Sequence, residues 1–279
     1  GRDQIVAANS KLQISYSTAE AGGPGVAGLI VQAMSAPAAI AVDAASFLVS
    51  AFLLRRIEAD EPPVARPAAS GVRRDIVAGL RALLGHPLLR PIVLGSIADG
   101  IALEAIAALF VLYATRDLGI GPVALGAIFA AGGAGAIPGA LLADAAGRRF
   151  GAGPTIVGGW FIGATTWLTI PLAAGPFAAP ILACGMLAGG LTNTIVNIQQ
   201  WSLRQLVTPD ALQGRVTASH RFLVYGAYPL GALLGGGLGA AVGLRPALAL
   251  CAVMALASPL WVACSPLRRL RTLPAPAET

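Results

Sequence analysis

The sequence predicts an all-α, polytopic membrane protein, and three observations carry that prediction. Hydrophobic residues make up 56% of the chain and charged residues 11%, against roughly 25% charged in a soluble domain. The apolar residues gather into stretches long enough to cross a bilayer, and the arginines fall almost wholly in every second gap between them. At a mean hydropathy of +0.74, a water-soluble core has no room for this much apolar surface, so lipid is its solvent.

A hydrocarbon core of about 30 Å needs about 20 apolar residues in a helix. Eight segments answer to that length: 13–34, 37–54, 92–114, 121–143, 153–174, 177–201, 219–242 and 245–264. Helix is the default because lipid cannot satisfy free backbone groups, and no segment alternates as a barrel strand would. Pro24, Pro138, Pro171 and Pro229 lie inside these segments. Membrane helices tolerate proline where neighbours re-satisfy the backbone.

Basic residues set the expected orientation. Arg2 and Lys11 precede the first span, and Arg55, Arg56, Arg66, Arg73, Arg74, Arg81 and Arg90 lie in or beside the break at 58–91. Arg148 and Arg149 follow the fourth span, Arg204 and Arg215 the sixth, and Arg268, Arg269 and Arg271 the eighth. Arg116 and Arg245 alone fall in the alternate loops. The positive-inside rule then places both ends and the break in the cytoplasm. A pI near 9.9 is accounted for by a basic rim facing anionic lipid and calls for no nucleic acid.

Within the break, 58–70 is polar and proline-rich (Glu58, Asp60, Glu61, Pro62, Pro63, Pro67). From 71 to 85 the pattern becomes helical, with Val72, Ile76, Leu80, Leu83 and Leu84 on one face and Arg74 and Arg81 opposite. This reads as an interfacial helix with its apolar face in the leaflet, by default a passive connector. Two spans precede the break and six follow it, the arrangement of the second half of a 6+6 transporter.

Ionisable groups inside spans are costly and therefore informative. Glu20, Asp43, Asp99 and Glu104 are the four candidates. Asp99 and Glu104 are five residues apart, about 140° around a helix, so they do not share one narrow groove. Both are candidate proton carriers; the competing reading is a carboxylate held by a neighbouring helix. Asp43 has Ser46 and Ser50 on its face and reads first as a polar pin between helices. In the sixth span Asn193, Asn197, Gln200 and Arg204 recur at helical spacing, flanked by Thr192, Thr194, Gln199 and Trp201. Such a stripe lines either a watery substrate path or an interhelical hydrogen-bond seam.

Gly231, Gly235, Gly239 and Gly243, and Gly135 with Gly139, recur every four residues, a spacing that allows close helix packing. Residues 133–139 superficially resemble a nucleotide loop but lack Lys-Ser/Thr and lie in a span. Cys184, Cys251 and Cys264 have no metal-type spacing and read as small core residues. His86 and His220 are too few for a metal cluster, and His220-Arg221 reads as a solvated gate or lipid contact. No nucleophile–base arrangement is visible, which speaks against an enzyme.

Three stretches then resemble the major facilitator superfamily, in its enterobactin-exporter-like and macrolide-efflux-like bacterial branch. Asp144, Gly147, Arg148 and Arg149 after the fourth span are similar to that family's cytoplasmic gate motif, although Ala140 replaces a usual Gly and Ala145 a basic residue. Gly23-Pro24 through Gly28 resembles the exporter Gly-Pro motif, with Ala27 in place of a Gly. Ala8-Asn9-Ser10 before it and Asp43 with Ser46-Phe47 after it also look like this branch. Arg204-Gln205, Pro209-Asp210, Gly214-Arg215-Val216 and Pro229-Leu230-Gly231 look like its tenth-to-eleventh helix connection.

The resemblance implies that the eight spans are helices five to twelve of a longer protein. On that reading 1–57 holds the last two helices of the N-terminal half, and 58–91 a cytoplasmic linker. Residues 92–279 then form the C-terminal half and a short tail. It implies proton-driven export of a hydrophobic or amphipathic small molecule by a monomer in the bacterial inner membrane, with no cofactor. A lysophospholipid flippase is the alternative on the same fold.

Overall fold

The computed structural model describes residues 19, 22–23, 26–56 and 71–271. After helical residues 26–33 come α1 (Ala36–Leu54), α2 (Val72–Gly85), α3 (Leu89–Arg116), α4 (Pro122–Phe150) and α5 (Ala152–Thr166). They are followed by α6 (Thr169–Leu172), α7 (Ala178–Val207), α8 (Asp210–Val242), α9 (Leu244–Ala255) and α10 (Ala257–Ala263). No strand occurs among the described residues. Among the described residues seven helical segments are long and apolar enough to cross a membrane, α5 running with α6 and α9 with α10 as single spans. The first part of the expected span 13–34 lies outside the described residues, as do Glu20, Pro24 and the linker at 58–70.

Helices outrun the apolar blocks that mark them. The expected 219–242 begins at Asp210, and the expected 177–201 continues to Val207. Polar residues such as Gln205 and Gln213 sit on these extensions, where the helix continues beyond its apolar block with its hydrogen-bond ladder intact. Pro138 and Pro229 are carried inside unbroken helices. The span holding Pro171 does break, at Trp167–Leu168, where Thr165, Thr166 and Thr169 each turn a hydroxyl back to a carbonyl three residues earlier.

Two helix pairs organise the bundle: α4 packs along α7, and α3 along α8. Glycine makes both possible. Added Cβ atoms at Gly231, Gly235 and Gly239 would collide in turn with the Ile101 carbonyl, the Ala105 carbonyl and the Leu109 side chain, one turn of α3 each. On the other pair, Gly135 lies on Leu187, Gly139 on Leu191 and Gly190 on Gly132. In lipid, where apolar burial drives little association, such close approach supplies dispersion and weak Cα–H contacts. Gly243 has a different task from its ladder neighbours: it ends α8 at φ 85°, in the left-handed region.

Two hydrogen bonds tie segments together at the helix ends. The Arg245 Nε donates to the Pro171 carbonyl at 2.8 Å, joining the start of α9 to α6. The Gly153 amide donates to the Leu270 carbonyl at 2.9 Å.

The structure corrects the orientation of α2. Its Asp75, Gly79 and Leu83 face is turned onto α8, while Ile76, Val77 and Leu84 stay exposed. Gly79 is the reason, since a Cβ there would strike Ser219 and the Arg215 backbone. Leu83 is buried with Leu89, Val93, Val216 and Val224, and Arg215 pairs with Asp75 at 3.0 Å. The helix is thus a packed part of the bundle. By contrast α1 has no buried residue and no packed interface with α2–α10.

Candidate functional site

A cavity of about 340 Å³ opens between α3, α4, α5 and α7. Glycines hollow it: Gly132 and Gly133 from α4, Gly163 from α5, and Gly185 and Gly189 from α7. Phe129, Trp160 and Trp167 supply aromatic wall, and Asp99 and Asn193 supply polar groups. Asp99 is the one carboxylate among the described lining residues, and no described residue pairs or hydrogen-bonds with it. Half-buried in such surroundings, its charge has no compensating partner among the described residues.

Glu104 lies elsewhere. It sits half-buried on α3 against Gly231 of α8 and does not line the cavity. Tyr228 stands between the two carboxylates, within electrostatic range of both, and its ring packs on Gly100. Asp43 is exposed on α1, where the Ser46 hydroxyl donates at 2.7 Å to its backbone carbonyl and leaves its carboxylate aside.

The polar stripe of α7 divides by depth. Asn193 and Asn197 are exposed and joined by a 3.0 Å bond from the Asn197 amide to the Asn193 carbonyl oxygen. Gln200 is buried and accepts a 3.3 Å bond from the Ser96 hydroxyl of α3. Arg204 is 8% exposed and lies over the Trp201 ring, 5.1 Å from its centroid. One end of the stripe therefore faces open space and the other is an interhelical seam.

At the end of α4, Asp144 and Arg148 form an exposed ion pair one turn apart, and Arg149 lies over Phe150. Gly147 admits the Gln199 amide, whose Nε2 donates to the Ala143 carbonyl at 2.7 Å. At the opposite face, Gly28 is buried, and a Cβ there would come within 2.7 Å of the Pro122 carbonyl and 3.2 Å of the Gly126 Cα. Gly28 of the Gly-Pro motif thus contacts the start of α4. Gly23 is exposed.

His220 is not the solvated group its sequence position implies. Its Nε2 is buried and has no hydrogen-bond partner among the described residues. Cys251 is a core residue, but Cys184 and Cys264 are exposed on outer faces; all three are free thiols. No metal-type cluster occurs among the described residues.

Sequence reasoning missed two contributors. The tryptophans of the cavity carry no periodic signal, and Gln199 was legible only as a neighbour of the stripe. Its position one step from Gln200 puts it on the α4 side of α7, a distinction that needs the α4–α7 pairing to be known.

Comparison with known proteins agrees with the geometry. A family model described as transmembrane secretion effector, of the major facilitator type, matches residues 1–276. The multidrug efflux pump Tap of Mycolicibacterium fortuitum is 28% identical over 244 residues, which are 85% of this chain and 58% of that protein. The chain thus spans a little over half the length of the curated relative it matches. Family and relative alike are transporters.

Proposed function

The chain belongs to the transmembrane secretion effector family of the major facilitator superfamily, and we propose that it carries the coupling half of a proton-driven multidrug exporter. The observation that carries this reading is Asp99, an unpaired carboxylate facing an aromatic-walled cavity beside Asn193. Protonation and release of that carboxylate would alternate with substrate movement as the transporter exposes its site to one side and then the other. In this scheme 1–57 forms the last two helices of the N-terminal half, 58–91 the cytoplasmic linker, and 92–279 the C-terminal half. The protein lies in the bacterial inner membrane with both ends of the chain in the cytoplasm, as a monomer.

Two contacts support a moving assembly. Gly28 against Gly126 brings the two proposed halves together on the outer face, where small residues permit sliding. The Asp144–Arg148 pair and its neighbour Gly147 sit at the cytoplasmic end of the same α4. Asn193 and Asn197, exposed in a face too polar for lipid, would line the water-filled path.

The test is proton-gradient-driven efflux of a fluorescent drug such as ethidium from vesicles holding the intact transporter. Asp99→Asn should abolish gradient-driven efflux while retaining drug binding, and Glu104→Gln should retain most of it. Normal efflux by Asp99→Asn would sink the assignment. Failure of the wild-type protein to move any drug, with lysolipid moved instead, would favour a lipid flippase.

A further inference from the structure

The α7–α8 junction presents a second polar feature that the Asp99 cavity does not use. Although α7 and α8 are joined by Thr208-Pro209, they make almost no contact along their lengths. A cleft of about 490 Å³ separates them, walled by Trp201, Gln205, Gln213, Thr217 and Arg221. Behind its wall Arg204 is 8% exposed, and its guanidinium has a ring contact with Trp201 but neither an ion pair nor a hydrogen bond with any described residue. His220 lies beside it, within electrostatic range of both Arg204 and Arg221, and its buried Nε2 also lacks a partner. No carboxylate lines the cleft among the described residues. The neighbouring Arg215 is already matched by Asp75.

A cation removed from water is costly unless an anion and hydrogen-bond acceptors replace the solvent. Here cationic groups gather on and behind one wall, and no acceptor among the described residues meets Arg204. Arg221, Gln205 and Thr217 line the cleft itself; Arg204 and His220 stand behind that wall, Arg204 against the Trp201 ring that forms part of it. We infer that the cleft between α7 and α8 is an oxyanion-binding site, taking the phosphate or carboxylate of a small soluble anion or of a lipid headgroup. Guanidinium recognises both through paired N–H···O bonds. The cleft lies at the face where the arginines of the chain gather, next to anionic headgroups in the proposed orientation. The inference stands apart from the Asp99 assignment, since no residue of one site lines the other.

The experiment measures thermal melting of the intact protein in an uncharged detergent, at fixed ionic strength set with chloride. One arm adds inorganic phosphate or citrate. The other adds phosphatidylglycerol, with phosphatidylcholine as its control. Binding to the native state raises the melting temperature by mass action. The wild-type protein should be stabilised in at least one arm, the responding arm identifying a soluble anion or a headgroup. Arg204→Gln should lose that response, Arg204→Lys should keep part of it, and Arg221→Gln should weaken it. Without added oxyanion, Arg204→Gln should melt at or above the wild type, because an uncompensated buried cation has been removed.

Two results would overturn the inference. One is equal stabilisation of the wild type and Arg204→Gln by the same oxyanion. The other is no oxyanion response from the wild type together with a lower melting temperature for Arg204→Gln, which would mean that an acidic side chain of the polypeptide already holds the guanidinium.

Discussion

Gln199 of α7 donates through Nε2 to the Ala143 carbonyl of α4 at 2.7 Å, immediately before Asp144. The end of α4 is therefore tied to its neighbouring helix by a neutral buried amide, whereas Asp144 and Arg148 pair within their own helix at 75% and 71% exposure. A net buried hydrogen bond contributes about 0.5–1.5 kcal/mol, and an exposed pair about 0–1 kcal/mol after solvent screening. Gln199→Leu should accordingly lower stability by about 1 kcal/mol, with a fall in melting temperature. Asp144→Asn should leave melting nearly unchanged and reduce efflux. A larger melting loss from Asp144→Asn than from Gln199→Leu would show that the pair, and not the amide, anchors this end of α4.

The α3–α8 interface makes a steeper claim. An alanine at Gly235 would put its Cβ into the Ala105 carbonyl and main chain, which no side-chain rotation relieves. Gly235→Ala should therefore cost about 1–3 kcal/mol, the usual range for overpacking. Gly236→Ala, whose Cβ would meet nothing within 4 Å, should be silent or slightly stabilising through helix propensity. Comparing the melting temperatures of the two variants checks this, because each adds one methyl group to adjacent positions of one helix. Equal shifts would refute the close approach.

Spans were legible because each is a block about 20 residues long, and the block length is set by the bilayer and not by distant contacts. Gly231, Gly235 and Gly239 could likewise be read as close-approach positions from their spacing alone. The inward face of α2 could not, because Gly79 acquires its meaning from Ser219 and the Arg215 backbone, far away in the chain. Asp99 and Glu104 could be placed on different faces of α3 by their separation. Which of them meets a cavity depends on glycines from three other helices, which no local spacing singles out. The burial of His220 was hidden for a related reason, since its neighbour Arg221 is exposed and the pair reads as one polar point.

Docking of α2 on α8 leads to a prediction about local opening. Gly79 seats the helix, Leu83 anchors it and the Asp75–Arg215 pair closes one edge at 3.0 Å. Gly79→Leu should force α2 off α8 and raise amide hydrogen exchange in 72–85, while exchange in α4 and α7 stays as in the wild type. Asp75→Asn should produce a much smaller rise, since partly exposed pairs contribute little. Unchanged exchange in Gly79→Leu would mean that α2 rests on the bundle without being held by it.

His86 makes the bundle sensitive to acid at its linker end. Its Nδ1 accepts the Leu88 amide at 3.2 Å where the chain enters α3, and burial lowers its pKa below the usual 6.5. The neutral imidazole is therefore the folded form. As pH falls below about 6.5 the unfolded chain takes up the proton first, so this contribution, complete above pH 6.5, is lost as pH drops through the folded pKa. Protonation also turns Nδ1 from acceptor to donor and opposes the Leu88 amide. The wild-type melting temperature should thus decline between pH 7 and pH 5, and His86→Asn, which keeps an acceptor without a titrating ring, should flatten that decline. A decline of equal slope in His86→Asn would assign the acid sensitivity to other groups.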